Sequence, residues 1–236
     1  MQLEVALGHP DGTDWRETAE GVLEDTLRLS RLAEDLLSLA RLDERGGTPA
    51  RRDPVDIADL LRRAAARYGD ARVTVTASPA APTPGPTTGP HAPGSPASRD
   101  PALAVTGDAS DLDRVLTNLV DNAVRHAASA VHLSARPDGP DIVVTVTDDG
   151  PGIPLADRER VFDRFTRLDT ARSRDSGGAG LGLAIVRETV LAHGGSVHLE
   201  NAAPGLHAVV RLPKHPRTAP APTPTHHAGP VPGKHL

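Results

Sequence analysis

The sequence predicts one α/β domain preceded by a long helix, and three observations lead to this fold class. Within residues 14–44 apolar side chains recur at steps of four and three, the spacing of a helix that packs against other helices. After residue 52, segments with a helical period alternate with short segments of strand-like alternation. Prolines crowd into residues 79–100 and 214–236, where large apolar side chains are rare, so we expect both stretches to be disordered.

The composition excludes several classes of protein. The chain of 236 residues contains no cysteine, which rules out a disulfide framework or a thiolate zinc site and fits a reducing compartment. Its net charge of −5 gives no support for nucleic-acid binding. No run approaches the roughly 20 apolar residues of a membrane span. We therefore expect a soluble, cytoplasmic chain without membrane contact of its own, whose core is built from Leu, Val, Ile and Ala.

The long helix needs helical partners, because its apolar stripe is wider than a lone helix could bury. At 1.5 Å per residue, residues 14–44 would form a helix roughly 45 Å long. The segment before it, residues 1–7 ended by a turn at 9–12, is too short to cover it. We expect residues 1–46 to be the remnant of a helical hairpin, mainly its second helix, that forms a homodimer as a four-helix bundle. The stripe follows Val22, Thr26, Leu29, Ala33, Leu36 and Ala40, widened by Leu23, Leu27 and Leu37.

The α/β domain is expected to span residues 52–213. Asp53 and Pro54 fit the start of a helix that runs through Ala66. Another helix, opened by Asp108 or Ser110, ends near His126, and a third covers residues 181–192. Strands are predicted at 72–77, 102–106, 131–135, 142–147, 196–200 and 206–212.

The helix that ends near His126 carries polar side chains along one edge. Asn118, Asn122 and Arg125 recur at four and three, so they share a face beside the apolar one. A carboxamide oxygen suits Mg²⁺, and a guanidinium suits phosphate oxygens. Such a face is also typical of the solvated side of an ordinary helix, so its meaning depends on the segments that follow.

Two glycine-rich segments follow this helix. Asp148 comes directly after a predicted strand and is followed by Asp149, Gly150, Pro151 and Gly152. This pattern places a carboxylate in a cleft, and the glycines let the backbone approach a ligand closely. The second segment, residues 177–183, leads into a helix, where backbone amides can bind an anion. A polar turn and a glycine-rich cap are the alternatives for each segment taken alone.

The chain's only two phenylalanines, Phe162 and Phe165, lie between these segments. They predict either a small satellite core or an anchored lid that brings arginines to phosphates. The arginines in question are Arg164, Arg167, Arg172 and Arg174.

Taken in order, these segments resemble the ATP-binding domain of sensor histidine kinases, which is similar to those of DNA gyrase, heat-shock chaperone ATPases and mismatch-repair ATPases. The resemblance covers residues 52–213, and residues 14–44 are similar to the second helix of the family's dimerisation and phosphotransfer hairpin. It implies a two-layer α/β sandwich of the histidine-kinase ATPase (Bergerat) type. It also implies ATP and Mg²⁺ as cofactors and a response regulator protein as partner.

The resemblance implies roles for individual residues. Asn122 matches the Asn that coordinates Mg²⁺, and Asn118 matches the other Asn of that segment. Arg125 matches a basic residue near the phosphates, and His126 a ring beside the nucleotide. Asp148 matches the acid that accepts a hydrogen bond from the adenine amine. The remaining nucleotide-binding positions are Gly150, Gly152, Ile153, Phe165, Arg167, Gly178, Gly180, Leu181, Gly182 and Leu183.

Asn118 separates two kinds of chemistry within this superfamily. Its water-activating ATPases and its serine kinases are similar in carrying Glu four residues before the magnesium Asn, as a general base. Asn118 stands at that position and does not accept a proton. Because an imidazole is already a nucleophile near neutral pH, Asn118 favours phosphoryl transfer to histidine.

The sequence departs from the family at the phosphate acceptor. None of its eleven histidines lies in the family's His-(Glu/Asp)-x-x-(Thr/Asn)-Pro context. We expect the chain either to be part of a longer, membrane-anchored sensor or to phosphorylate or regulate another chain. Two alternatives to the histidine kinase stay open: a nucleotide-binding dimerisation module without activity of its own, and an anti-sigma-type serine kinase.

Overall fold

The structure, a computed structural model, describes residues 14–79, 101–168 and 179–215. The expectations for residues 1–13, 80–100 and 216–236, and those for Arg172, Arg174 and Gly178, lie outside the described residues. The first element is helix α1, Trp15–Glu44, which confirms the predicted long helix. The Asp14 carboxylate accepts a hydrogen bond from the Arg16 amide at 2.9 Å, as expected of a residue that caps a helix N-terminus.

The remaining elements form one α/β domain. In chain order they are β1 (Asp53–Asp56), α2 (Ile57–Arg67), β2 (Thr74–Pro79), β3 (Ala104–Gly107), α3 (Ala109–His126), β4 (Ala130–Asp138), β5 (Asp141–Asp148), α4 (Gly182–Ala192), β6 (Ser196–Asn201) and β7 (Leu206–Pro213).

The main sheet has five strands in the order β2-β4-β5-β7-β6. Strand β2 runs parallel to β4, and the other neighbours are antiparallel. Strand residues of one parity, such as Val144 and Val146, share a buried core with the apolar faces of α2, α3 and α4. Helices therefore cover one face of the sheet, which confirms the predicted two-layer α/β sandwich.

The helix predicted to begin at Asp53 and Pro54 begins four residues later, at Ile57. Residues 53–56 form β1, which pairs antiparallel with β3 and places Val55 opposite Val105 in the core. The helix is capped by Asp56, whose carboxylate accepts a hydrogen bond from the Asp59 amide at 3.2 Å. The prediction was wrong because the pairing with a strand about fifty residues away outweighs a local helix-start signal.

Helix α1 lies against the α/β domain through its C-terminal half. Leu39 is buried against Leu181 and Ile185 at the start of α4. Two ion pairs flank this contact: Asp35 accepts from Arg114 at 2.9 Å, and Asp43 accepts from two nitrogens of Arg164. The domain therefore covers one side of α1.

The apolar stripe of α1 lies beside that contact. At about 100° per residue, the stripe through Leu29 and Leu36 lies roughly a fifth of a turn from the side that carries Leu39. Leu29 is 66% exposed, and Leu36 is also exposed.

Of the helices within the three described ranges, none combines the length and the apolar character that crossing a bilayer requires.

Candidate functional site

A cavity of about 1290 Å³ opens between α1, α3, the end of β5 and the segment that leads into α4. Most of the residues that the sequence singles out lie on its wall, although they come from four separate parts of the chain. The predicted residues that line it are Asn118, Asn122, Arg125, His126, Asp148, Gly152, Ile153, Phe165, Arg167, Gly180, Gly182 and Leu183.

Helix α3 supplies the polar wall of the cavity. Leu119, Val120 and Ala123 are buried on its other side, so the spacing of four and three turns Asn122 and Arg125 toward the cavity. Within the part of the chain that the structure describes, the side chains of Asn122 and Arg125 make no hydrogen bond or ion pair. Their polar groups are therefore available to a ligand.

Asn118 is held by the protein itself. Its carboxamide nitrogen donates a hydrogen bond to the backbone oxygen of Gly182 at 3.3 Å. This contact ties α3 to the first residue of α4. The structure thus places Asn118 at the junction of the two helices that border the cavity.

Asp148 supplies a buried carboxylate at the opposite wall. It is the last residue of β5, held between β4 and β7, and is 5% exposed. One carboxylate oxygen accepts the Gly150 amide at 2.9 Å. Burial raises the pKa of this carboxyl above its ordinary value, because the charged form loses hydration. A single buried acceptor of this kind is suited to a polar donor on an otherwise apolar ligand.

The backbone around Asp148 leaves no room for side chains. A Cβ on Gly150 would lie 2.5 Å from the His126 backbone oxygen. A Cβ on Gly205, whose φ is +107°, would lie 1.7 Å from the Asp148 backbone oxygen. The end of β5 is therefore clamped between the end of α3 and the turn before β7.

Replacing Gly205 by Ala is expected to destabilise the domain by about 3 kcal/mol or more, because the new methyl would overlap the Asp148 backbone oxygen. Urea unfolding followed by circular dichroism measures this cost. The matched control is Gly139→Ala, since Gly139 also has positive φ (+56°) but has no atom within 4 Å of its ideal Cβ. The control should cost only about 1 kcal/mol. Equal costs for both variants would contradict the clamp.

The segment before α4 forms the third wall. The Phe165 amide donates to the Gly180 backbone oxygen at 2.9 Å, and both residues have positive φ. A Cβ on Gly180 would lie 2.9 Å from the Phe165 carbonyl carbon. Helix α4 then begins at Gly182 without a side-chain cap from Leu181, and no side chain among the described residues bonds to its first amides.

The two phenylalanines have different places. Phe162 is 4% exposed and belongs to the main core, whereas Phe165 is 63% exposed and lines the cavity. The expectation that they form a satellite core of their own is therefore wrong, because Phe162 reaches the interior of the domain. The lid expected after Phe165 falls largely on residues 169–178, outside the described residues.

Two predicted residues do not line the cavity. Gly150 lies behind Asp148, where its backbone contacts His126. Leu181 is 1% exposed and packs against Leu39 and Ile185, so it anchors the start of α4. Their positions support the wall of the cavity from behind.

The sequence reasoning did not assign a wall of the cavity to α1. Ser38 and Leu42 of this helix line it, together with four arginines and the acidic side chains of Asp25, Glu34 and Asp35. The sequence pattern around Ser38 and Leu42 does not indicate that they line a cavity, because this depends on how α1 packs against the domain. The four arginines are Arg28, Arg31, Arg41 and Arg45.

Comparisons with known proteins point to one family. Residues 107–216 match the family model of the histidine kinase-, DNA gyrase B- and HSP90-like ATPases. The chain is 40% identical over 196 residues to the probable sensor histidine kinase TcrY of Mycobacterium tuberculosis, covering 81% of this chain and 37% of TcrY. It is 34% identical to the sensor-like histidine kinase SenX3 of Mycolicibacterium smegmatis, covering 90% of this chain and 52% of SenX3. The chain thus spans between about a third and half of these relatives.

Solved structures agree with this result. The mycobacterial sensor histidine kinase MprB is 30% identical, with a TM-score of 0.50, over 70% of this chain and 99% of that one. Full-length ShkA in complex with AMPPNP is 28% identical, with a TM-score of 0.66, over 89% of this chain and 41% of that one. Since nearly all of the MprB chain is matched at this identity, the present chain belongs to the sensor histidine kinases and carries their ATPase domain.

Proposed function

We propose that the cavity binds ATP with Mg²⁺ and that the chain transfers the γ-phosphoryl group to a histidine of a protein, for relay to an aspartate of a response regulator. One observation carries this proposal. A single cavity joins a carboxamide and a guanidinium on α3, neither with a partner among the described residues, to a buried carboxylate at the end of β5. Family membership and the AMPPNP bound to ShkA support the same nucleotide.

In this proposal Asp148 recognises the adenine base. Its carboxylate accepts a hydrogen bond from the exocyclic amine, which guanine lacks at that position. Gly152, which has no side chain, and the apolar side chain of Ile153 both line the cavity. Together they leave a surface that suits a flat aromatic ring. A buried acceptor discriminates strongly, because a ligand without the matching donor leaves it unpaired.

The phosphates lie toward α3 and α4. Arg125 and Arg167 both line the cavity and supply positive charge. The first amides of α4, which no side chain of the described residues caps, add donors for phosphate oxygens. His126 and the backbone at Gly180 complete this end of the site.

The donor set fits Mg²⁺ held largely by the nucleotide. Among the described residues no group of three or more His, Asp or Glu side chains is placed to hold a metal ion. One carboxamide oxygen, that of Asn122, suits Mg²⁺ that takes its other ligands from phosphates and water. The bound ion would neutralise charge on the transferring phosphoryl group.

The protein's contribution to the reaction is positioning. The acceptor imidazole nitrogen forms a bond to the γ-phosphorus while the bond from that phosphorus to the bridging oxygen breaks, leaving ADP. Asn118 does not act as a base, and its hydrogen bond to Gly182 instead fixes the junction of α3 and α4. Since a neutral imidazole attacks through its unprotonated nitrogen, it needs less help from a general base than a hydroxyl does, and the proton on the other ring nitrogen then passes to water.

Phosphoryl transfer is tested by adding ATP labelled at the γ-phosphate together with a separate chain that carries the family's hairpin histidine. The proposal predicts label on that chain that is lost in acid and retained in base. An acid-stable product would indicate a serine kinase, and tight nucleotide binding without transfer would indicate a regulatory module. Either result would contradict the proposed reaction.

We also propose that α1 forms a homodimer through its exposed stripe. Replacing Leu29 by Glu is expected to convert the dimer to a monomer, because a charge would be buried in the interface. Light scattering after gel filtration measures the mass. The matched control, Glu24→Lys, changes an exposed side chain on the opposite side of α1 and should stay dimeric. A Leu29→Glu protein that remains dimeric would contradict this interface.

A further inference from the structure

The second acid of the loop after β5, Asp149, binds the turn that follows α3. Its Oδ1 accepts hydrogen bonds from three successive backbone amides, those of Ala128, Ser129 and Ala130, at 2.9, 3.0 and 3.1 Å. Its Oδ2 accepts from the Ser129 hydroxyl and, at 3.1 Å, from the Ser129 amide. Three consecutive amides directed at one carboxylate form an anion-binding nest.

The same turn is held from its other side by a cation. The Arg72 guanidinium donates to the backbone oxygens of Val124 and Ala127 at 3.3 and 2.9 Å. It also donates to the Ala128 oxygen at 3.5 Å. The turn therefore has a positive group on its carbonyls and a negative group on its amides. Only the negative group belongs to the loop that carries Asp148.

Asp149 connects the two segments that carry the ends of the nucleotide site. It directly follows Asp148, the proposed adenine acceptor. The turn that it binds directly follows the last residues of α3, where Asn122 and Arg125 face the phosphate end. Gly150 adds a second contact, because its backbone packs against the oxygen of His126, the last residue of α3.

We propose that Asp149 is a positioning residue that fixes the distance between the adenine end and the metal end of the site. This inference rests on the proposed function. A nucleotide engages Asp148 and Asn122 together only when the distance between these two side chains matches the length of the nucleotide. A carboxylate bound to three amides sets that length through bonds that two separate elements share, the α3–β4 turn and the loop after β5.

The carboxylate is suited to this task by its charge. The Ser129 hydroxyl and the surrounding amides hold the pKa of Asp149 well below its usual range, so it is ionised wherever the enzyme works. Hydrogen bonds to a charged acceptor are stronger than neutral ones. Asn at this position would still accept amide protons with its single oxygen, whereas Ala would leave all three amides without this partner.

The test compares two ligands that use different parts of the site. AMP engages mainly the adenine end, whereas ADP with Mg²⁺ must engage both ends. Calorimetric titration of the folded protein measures the affinity of each variant for AMP and for ADP with Mg²⁺. Asp149→Ala should weaken ADP with Mg²⁺ by about 30-fold, since small misplacements cost large factors, but AMP by less than about threefold. Asp149→Asn should bind ADP with Mg²⁺ with an affinity within about threefold of that of the unsubstituted protein.

Two variants separate positioning from general stability. Ser129→Ala removes only the hydroxyl bond and should bind both ligands like the unsubstituted protein. Arg72→Ala loosens the same turn from the carbonyl side without touching the Asp148 loop, so it should change both affinities by one common factor. If Asp149→Ala does not yield folded protein, Asp149→Ser, which keeps one acceptor oxygen, supplies the same comparison.

The outcomes distinguish this inference from the proposed function. If Asp149→Ala weakens both ligands by the same factor, or neither, Asp149 is not a positioning residue, although the nucleotide site stands. If Asp148→Asn also leaves both affinities unchanged, the proposed function itself has failed. A selective loss of ADP with Mg²⁺ that Asn restores supports the inference.

Discussion

Replacing Asn122 by Ala is expected to remove the part of the nucleotide affinity that depends on Mg²⁺. The carboxamide has no other partner among the described residues, so its oxygen is free to coordinate the ion. We expect ADP to bind about 100-fold more weakly than to the unsubstituted protein when Mg²⁺ is present, and with little change when it is absent. Calorimetric titration of ADP with and without Mg²⁺ measures the difference.

The control for this variant is Asn201→Ala. Asn201 is exposed at the end of β6 and lies outside the cavity, so its loss should leave both titrations unchanged. Because the Asn122 side chain makes no hydrogen bond to another described residue, Asn122→Ala should also unfold within roughly 2 °C of the unsubstituted protein. Unchanged Mg²⁺-dependent affinity in Asn122→Ala would remove the proposed role of the α3 carboxamide.

Replacing Asp148 by Asn is expected to abolish the preference for adenine. The amide oxygen can still accept the Gly150 hydrogen bond, but the charged acceptor for the adenine amine is lost. We expect the affinity for ADP to fall about 100-fold and to approach that for GDP. Competition between the two nucleotides, measured by calorimetry, reports the selectivity directly.

The same variant should be more stable than the unsubstituted protein in the absence of nucleotide. Burial raises the pKa of Asp148, so the folded state holds this proton more tightly than the unfolded state. The stability from this group is present at low pH and is lost as the pH rises through the folded pKa. At any pH above the ordinary carboxyl pKa, the buried group therefore costs stability relative to its low-pH contribution, and Asp148→Asn removes that cost. A lower melting temperature would show that the binding loss reflects damage to the fold.

Helix α3 and its polar face are predictable from sequence, because both depend on local spacing. All six apolar positions that define the helix, from Leu112 to Ala123, are buried in the core. The strand that ends at Asp148 is equally local, since its alternation matches one buried face of the sheet. These two elements contain the proposed metal ligand and adenine acceptor.

The contacts that the sequence reasoning missed all join distant parts of the chain. Strand β1 replaced a predicted helix start because it pairs with β3, and nothing near Pro54 encodes that partner. Asp149 gave no signal because its amide partners lie about twenty residues earlier and approach it only through the β4–β5 hairpin. The wall that α1 contributes depends on Leu39 meeting the start of α4.

A crystal structure with Mg²⁺ and a non-hydrolysable ATP analogue tests the central claim most directly. The account predicts the adenine amine within hydrogen-bonding distance of the Asp148 carboxylate, with Mg²⁺ about 2.1 Å from the Asn122 oxygen. The phosphates should lie between Arg125 and the first amides of α4. A nucleotide bound outside this cavity, or bound within it without contact to either Asp148 or Asn122, would contradict the account.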